Sequence, residues 1–294
     1  MRKKIFGSFA VIILIILIIT VALFCLARAK GIARPEVSSL EDEIAWEKEH
    51  NLWGNYDTYK HEEYTVKGYN DYELHLSLIK NPKPTDKYVI ISHGFKSNRY
   101  GGVKYLDPYI NMGFNCIIYD MRGHGENEAA TVSLGQFESM DLEKIIEDTY
   151  IRYGNIRLGL HGESMGAATS LMVLGRTQNV AFVVADCGFS NLYNLINEAY
   201  NNANMGFITP LINTAMKLKF GYDMKKTSPK DALLNNEVPI CFIHGEDDVF
   251  ILPSHSKTNK AATKGYSEIH IIKGAAHAQS REIMGEANYR GIIT

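Results

Sequence analysis

A chain of 294 residues with 31 basic and 33 acidic side chains carries a formal charge of −2, which leaves no electrostatic basis for nucleic-acid binding. Its four cysteines are scattered rather than spaced as metal ligands or as a disulfide framework, so no metal site is expected, and no motif requires a cofactor. Beyond an apolar N-terminus about 240 residues remain, enough for one large domain with a substantial core.

From Ile5 to Ala27 there is no charged residue, and Val11 to Ile19 is unbroken aliphatic. At a rise of ~1.5 Å per residue, about twenty residues cross the ~30 Å hydrocarbon core, so residues 1–29 are expected to form a transmembrane anchor. The competing reading is a cleaved signal peptide, with Arg2, Lys3 and Lys4 as its basic start and Ala27-Arg28-Ala29 as its cleavage site; the apolar run exceeds the ~7 to 15 residues usual for such segments. Bulky Phe24 before Cys25 argues against lipid attachment there. Arg28, Lys30 and Arg34 nearly balance the basic residues ahead of the span, and the short basic start of a signal anchor favours a cytoplasmic N-terminus, a single pass through the cell membrane and an extracellular catalytic domain. Residues 30–55 read as a juxtamembrane spacer, in which 36–50 form a short amphipathic helix capped by Ser38 or Ser39, with Glu41 or Asp42 three residues on.

Residues 56–294 hold the expected catalytic domain. Tyr88 to Ser92 is a short apolar run of the kind buried on both faces of a parallel sheet, and it leads into His93-Gly94-Phe95. Asn115 to Asp120 is a second such run, followed by Met121-Arg122-Gly123-His124-Gly125. A third, Ile156 to His161, meets Gly162-Glu163-Ser164-Met165-Gly166 and then a helix-like stretch from Ala167 to Leu174. Strand, sharp turn and helix are the setting of a nucleophile elbow, in which a serine adopts strained backbone angles and small flanking residues let strand and helix approach. Ser164 is therefore the expected nucleophile. Acyl transfer also needs two NH donors where negative charge develops, one after the nucleophile and one in an earlier strand-to-helix loop, which assigns Met165 and Phe95 to the oxyanion hole.

After a strand at Val180 to Ala185, Phe189, Leu192, Tyr193, Ile196 and Tyr200 recur at helical spacing, as do Leu211, Ile212, Ala215 and Met216, with Gly206 and Pro210 between the two groups. Residues 188–227 are expected to be a helical cap over the active site; two ordinary packing helices would show the same stripes. Val238 to His244 and Ser267 to Ile272 complete the strands, the first entering Gly245-Glu246-Asp247-Asp248 and the second Lys273-Gly274-Ala275-Ala276-His277.

The succession His-Gly-Phe at 93–95, Asp-x-Arg-Gly-His-Gly at 120–125 and Gly-x-Ser-x-Gly at 162–166 resembles the α/β-hydrolase superfamily, over roughly residues 56 to 290. The resemblance implies an α/β fold with a mostly parallel central sheet flanked by helices. It makes Asp120, Arg122 and His124 loop-fixing groups, although His124 as a base would break the chain order of nucleophile, acid, base. The pattern His-Gly-x-x-Asp from His244 places Asp248 as the acid, with Asp247 and Asp186 as rivals, and His277, among small residues, as the general base. His93, His161 and His244, each before a glycine, read as loop-holding groups. Within the superfamily the chain is most similar to bacterial membrane-anchored or surface serine hydrolases related to prolyl-oligopeptidase-like esterases, whose Ser-Pro-x-Asp-Ala is matched by Ser228-Pro229-Lys230-Asp231-Ala232. It departs from them after Asn288, where they continue into a long apolar helix. The implied activity is a carboxylesterase acting on small acyl esters through a Ser-Asp-His triad; a peptidase, an acyltransferase or a catalytically silent surface binding module on the same fold are the alternatives.

Overall fold

The computed structural model describes residues 2–293, with side-chain surroundings from Ile13 onward; the basic side chains of Arg2, Lys3 and Lys4 lie outside the described residues. Eight strands form one sheet: β1 Lys60–Lys67, β2 Glu73–Lys80, β3 Lys87–Ser92, β4 Asn115–Tyr119, β5 Arg157–Glu163, β6 Phe182–Asp186, β7 Ile240–Gly245 and β8 Ser267–Ile272. Their order is β1-β2-β4-β3-β5-β6-β7-β8, and every pair from β4 to β8 is parallel. Only β1 with β2 and β2 with β4 run antiparallel. The mostly parallel sheet bears out the expected fold class, and the β1–β2 hairpin extends it at one edge.

Apolar runs become strands here because both faces are covered. Ile90, Ile117 and Leu160 point into one core and Val89, Ile91 and Ile118 into the other, the alternation that a pleated strand imposes. Helices cover the faces: α1 Arg2–Ala33, α2 Leu40–Glu49, α3 Leu106–Asn111, α4 Gln136–Tyr153, α5 Met165–Met172, α6 Leu192–Asn201, α7 Thr209–Ala215, α8 Pro229–Ala232, α9 Ser254–Ala262, α10 Ser280–Met284 and α11 Glu286–Ile292. The chain closes with two short helices; α11 packs on α3, and Tyr289 is fully buried.

α1 runs past the expected end of the anchor. From Ile13 to Ile19 its large apolar side chains are exposed, whereas Cys25, Ala29 and Ala33, four residues apart on one face, are buried against the body where α1 meets α7. The Ala33 carbonyl accepts the Val132 NH at 3.0 Å, and Arg28 Nε donates to the Tyr200 hydroxyl at 2.8 Å. Ser39 caps α2: its hydroxyl oxygen accepts the Asp42 NH at 3.1 Å and donates to the Asp42 carboxylate at 2.8 Å.

Candidate active site

Ser164 stands between β5 and α5 with φ 55° and ψ −113°, the strained turn anticipated for an elbow. Its flanking glycines have no room for a side chain. A Cβ on Gly162 would lie 2.2 Å from the Gly166 carbonyl oxygen, and one on Gly166 would lie 2.0 Å from that of Ser92. Met165 opens α5, so its NH is one of the first-turn donors without an intrahelical acceptor. Phe95 follows β3 on the neighbouring loop, next to Gly94, where a Cβ would come 3.8 Å from that of Ser164.

β7 and β8 bring the other groups. His277 Nε2 lies 3.0 Å from Ser164 Oγ, and its Nδ1 lies 2.7 Å from Asp248 Oδ2. The second Asp248 oxygen accepts the NH groups of Phe250 at 2.9 Å and Ile251 at 2.8 Å. His244 Nε2 approaches Oδ2 as well, at 3.2 Å, so two imidazoles share one carboxylate oxygen. Burial pushes the Asp248 carboxyl up, but hydrogen bonds from His244 and His277, the imidazole charge and the Ile251 NH outweigh it and hold the group well below the usual carboxylate range. An ionised Asp248 accepts a proton-bearing Nδ1 from His277, which leaves Nε2 free to accept the serine hydroxyl.

Asp247 is exposed, its NH bonded to the Ala275 carbonyl. Asp186 accepts from Ser280 Oγ at 3.0 Å and from the Tyr289 hydroxyl at 3.2 Å, and its carbonyl receives the Ser164 NH. Cys187 Sγ lies within 4.8 Å of the Asp248 and His277 donor atoms, but those two are already bonded to each other and burial pushes the thiol far up, so the set does not make a metal centre.

The loop after β3 is held from below by histidines. His93 Nε2 accepts the Met121 NH at 3.0 Å while its Nδ1 donates to the Gly94 carbonyl at 2.7 Å. His124 Nε2 accepts the Lys96 NH at 3.2 Å while its Nδ1 donates to the Arg122 carbonyl at 2.9 Å. Burial lowers both, to about 4 and about 3, so each stays neutral and keeps one accepting nitrogen at neutral pH. Asp120 binds the Arg99 guanidinium and its NH, and Arg122 holds Asp141 with Nε at 2.8 Å.

From above, the same loop is held by α2. The Asn98 amide donates to the carbonyls of Ser38 at 3.3 Å and Ser39 at 3.1 Å, and Ser97 Oγ donates to Glu43. Ser164 and His277 open into a cavity of about 900 Å³ whose walls include Trp46 and Glu47 of α2, Phe95, Phe250 and Glu282. Among the described residues, none of 188–227 lines it; the segment expected as its cap packs against α1 instead. The physical reason is that α2, placed by sequence pattern as a spacer, carries its own hydrogen-bonding face onto the loop after β3.

The match with known proteins follows the same outline. Residues 87–209 match the model of the alpha/beta hydrolase fold family. The uncharacterized protein YqkD of Bacillus subtilis (strain 168) is 31% identical over 224 residues, 74% of this chain and 70% of that protein. The chain belongs to the α/β-hydrolase superfamily. Among solved structures, the Pyrococcus furiosus esterase Pf2001 superposes with a TM-score of 0.64 at 18% identity, over 82% of this chain and 93% of that one. The Pyrococcus horikoshii acylaminoacyl peptidase does so with a TM-score of 0.60 at 17% identity, over 79% of this chain and 40% of that longer one.

Proposed function

We propose that the protein is a membrane-anchored serine hydrolase that cleaves carboxylic acyl esters through a covalent acyl-enzyme. The observation that carries this reading is the unbroken chain from Ser164 Oγ to His277 at 3.0 Å and from His277 to Asp248 at 2.7 Å, set on a strained elbow.

In this reading His277 Nε2 takes the Ser164 proton as Oγ attacks the ester carbonyl, and the NH groups of Met165 and Phe95 receive the oxyanion. The tetrahedral adduct expels the alcohol, which leaves with the proton from Nε2. Water then repeats the sequence: His277 removes its proton, hydroxide attacks the acyl carbonyl, and the carboxylic acid departs as Oγ recovers a proton. Asp248 keeps Nδ1 protonated and stabilises the imidazolium. Amide cleavage uses the same atoms with an amine as leaving group, and a fold neighbour is an acylaminoacyl peptidase, so an ester and peptide panel decides the bond class.

Residues 1–29 act as the anchor in this reading, with the N-terminus in the cytoplasm and the body at the outer face. A helix long and apolar enough to cross a bilayer, with seven consecutive large apolar side chains exposed from Ile13 to Ile19, supports it, because such a surface is unfavourable in water. The test is fluorophosphonate labelling of the full chain: wild type should label, Ser164→Ala should not, and ester turnover should fall by several orders of magnitude. Equal labelling of the alanine variant would refute the nucleophile.

A further inference from the structure

The cavity above Ser164 has a charged wall that ester cleavage does not use. α2 and α10 bring Asp42, Glu43, Glu47 and Glu282 to it, and Lys96 and Lys104 line the same cavity. Lys104 cannot balance them all, since its ammonium lies 2.6 Å from Glu163 Oε2 with both side chains nearly buried. Glu47 is 1% exposed, and its Oε2 has no hydrogen-bond partner among the described residues. A buried carboxyl left without a donor destabilises the fold, so a partner arriving from the cavity would recover what the empty site loses. Beside it Trp46 lines the same cavity, 43% exposed, with its indole stacked on His50 at 4.1 Å between ring centroids. With Lys104 committed to Glu163, the four carboxylates outnumber the remaining Lys96, and together with an aromatic face they favour a cation over an anion.

We propose that this wall is an ammonium-binding subsite, so that the substrates are acyl esters or amides carrying a positively charged amine, held by Glu47 and Trp46 of α2 while the carbonyl sits at Ser164. The subsite deepens the hydrolase reading above and rests on it for the chemistry. An uncharged substrate of the same shape leaves Glu47 unpaired.

The groups around Glu47 also give the subsite a pH dependence. Burial pushes its carboxyl up to about 8, Lys104 opposes this, and Glu163, Glu43 and Glu282 add to it; Asp42 faces the cavity from the same helix, His50 from its C-terminal cap, and Lys96 and His277 from the loops after β3 and β8. The empty site therefore holds a proton at neutral pH, an arriving ammonium expels it, and the cation binds more tightly as pH rises through about 8.

Two isosteric pairs test this on the full-length protein in detergent: para-nitrophenyl ε-aminocaproate against para-nitrophenyl heptanoate, with the charge on the acyl side, and butyrylthiocholine against neohexyl thiobutyrate, with the charge on the leaving group. At least one cationic member should exceed its neutral partner in kcat/KM by about ten-fold, and Glu47→Gln should bring that ratio close to one. Trp46→Leu should lower the same ratio and serves if the glutamine variant fails to fold. Neutral partners preferred in both pairs, or a ratio unchanged in both variants, overturns the subsite. Calorimetric titration with hexylammonium gives a readout free of catalysis: binding with proton release in wild type, lost in Glu47→Gln. Ester cleavage without hexylammonium binding overturns the subsite and spares the hydrolase reading. Hexylammonium binding through Glu47 in a protein inert to all four esters and to the fluorophosphonate spares the subsite and overturns the hydrolase reading.

Discussion

The main-chain NH of Ser38 donates to the carbonyl of Lys96 at 2.7 Å, so the residue that leads into α2 is bonded to the loop that carries Phe95. With Asn98 gripping the Ser38 and Ser39 carbonyls, the segment that follows the apolar helix becomes part of the loop's support. Asn98→Ala should therefore lower kcat for a neutral ester about ten-fold with KM little changed, the pattern expected when a donor that acts only in the transition state is loosened. Steady-state kinetics on the alanine variant checks it, and a rise in KM alone would show that α2 shapes binding and not the oxyanion donor.

The acid can be separated from its neighbours by isosteric replacement. Asp248→Asn removes the acceptor of the His277 proton and should cost about 10⁴-fold in turnover, as loss of the corresponding carboxylate does in serine proteases. Asp247→Asn, at an exposed carboxyl, should change stability by less than about 0.5 kcal/mol and leave turnover near wild type. Turnover at matched folded fraction decides, and a larger loss in the Asp247 variant would move the role to that residue.

At the elbow, space makes the prediction. The Cβ of Gly166→Ala would meet the Ser92 carbonyl oxygen at 2.0 Å, backbone against backbone, so the variant should lose at least about 1–3 kcal/mol and most of its labelling. Gly291→Ala in α11, where a Cβ meets nothing within 4 Å, should be neutral or stabilise by up to about 1 kcal/mol. Denaturant melts of the two variants give the comparison.

Asp186 gives a stability prediction with a sign. Burial, with Glu163 adding to it, raises its carboxyl to about 6 from an ordinary 3.8, so the folded state holds the proton more tightly than the unfolded chain. That contribution is complete below the unfolded value and is lost as pH rises through the folded one. Two units correspond to about 3 kcal/mol, of which roughly 2 should disappear between pH 4.5 and pH 8. Asp186→Asn does not titrate, so its stability relative to wild type should improve by that amount over the same interval. A difference independent of pH would show that Asp186 stays ionised when folded.

The anchor is tested by where the protein goes. Full-length protein should remain with membranes after an alkaline carbonate wash, protease added to spheroplasts should digest the body, and N-terminal sequencing should find residues ahead of Ala29 still attached. A soluble product beginning near Lys30 would make the segment a signal peptide.

What could be read from the chain was what local pattern carries. The runs at β3, β4 and β7 are mostly apolar because both faces of those strands are covered, β5 interrupts its leucines with Arg157 and His161, and Ser164 announces itself through glycines two positions to either side. β2 carries a weaker signal: Leu74, Leu76 and Leu78 alternate in sequence with His75 and Ser77, but Ser77 and Ile79 are buried as well because β1 and β4 flank the strand. The role of α2 was not legible, since Asn98 reaches Ser38 across 60 positions and Glu47 looks like one more charge in a polar helix. The helices of 188–227 were visible in their spacing, but a stripe of apolar residues does not say what it packs against. His244 beside Asp248 was equally hidden, because two residues four apart touch here only through the turn that β7 enters.

The docking of α1 sets a limit on how the proposed anchor can work. Cys25, Ala29 and Ala33 fasten the last turns of the helix to the body, so no loose tether separates the stretch proposed to cross the membrane from the rest of the protein. An enzyme on a slack leash sweeps a volume, and lengthening the leash widens its reach. One mounted on a stiff post holds its mouth at a fixed altitude and tilt above the bilayer, so it meets only substrates that pass at that height and finds new ones by drifting sideways with the lipid.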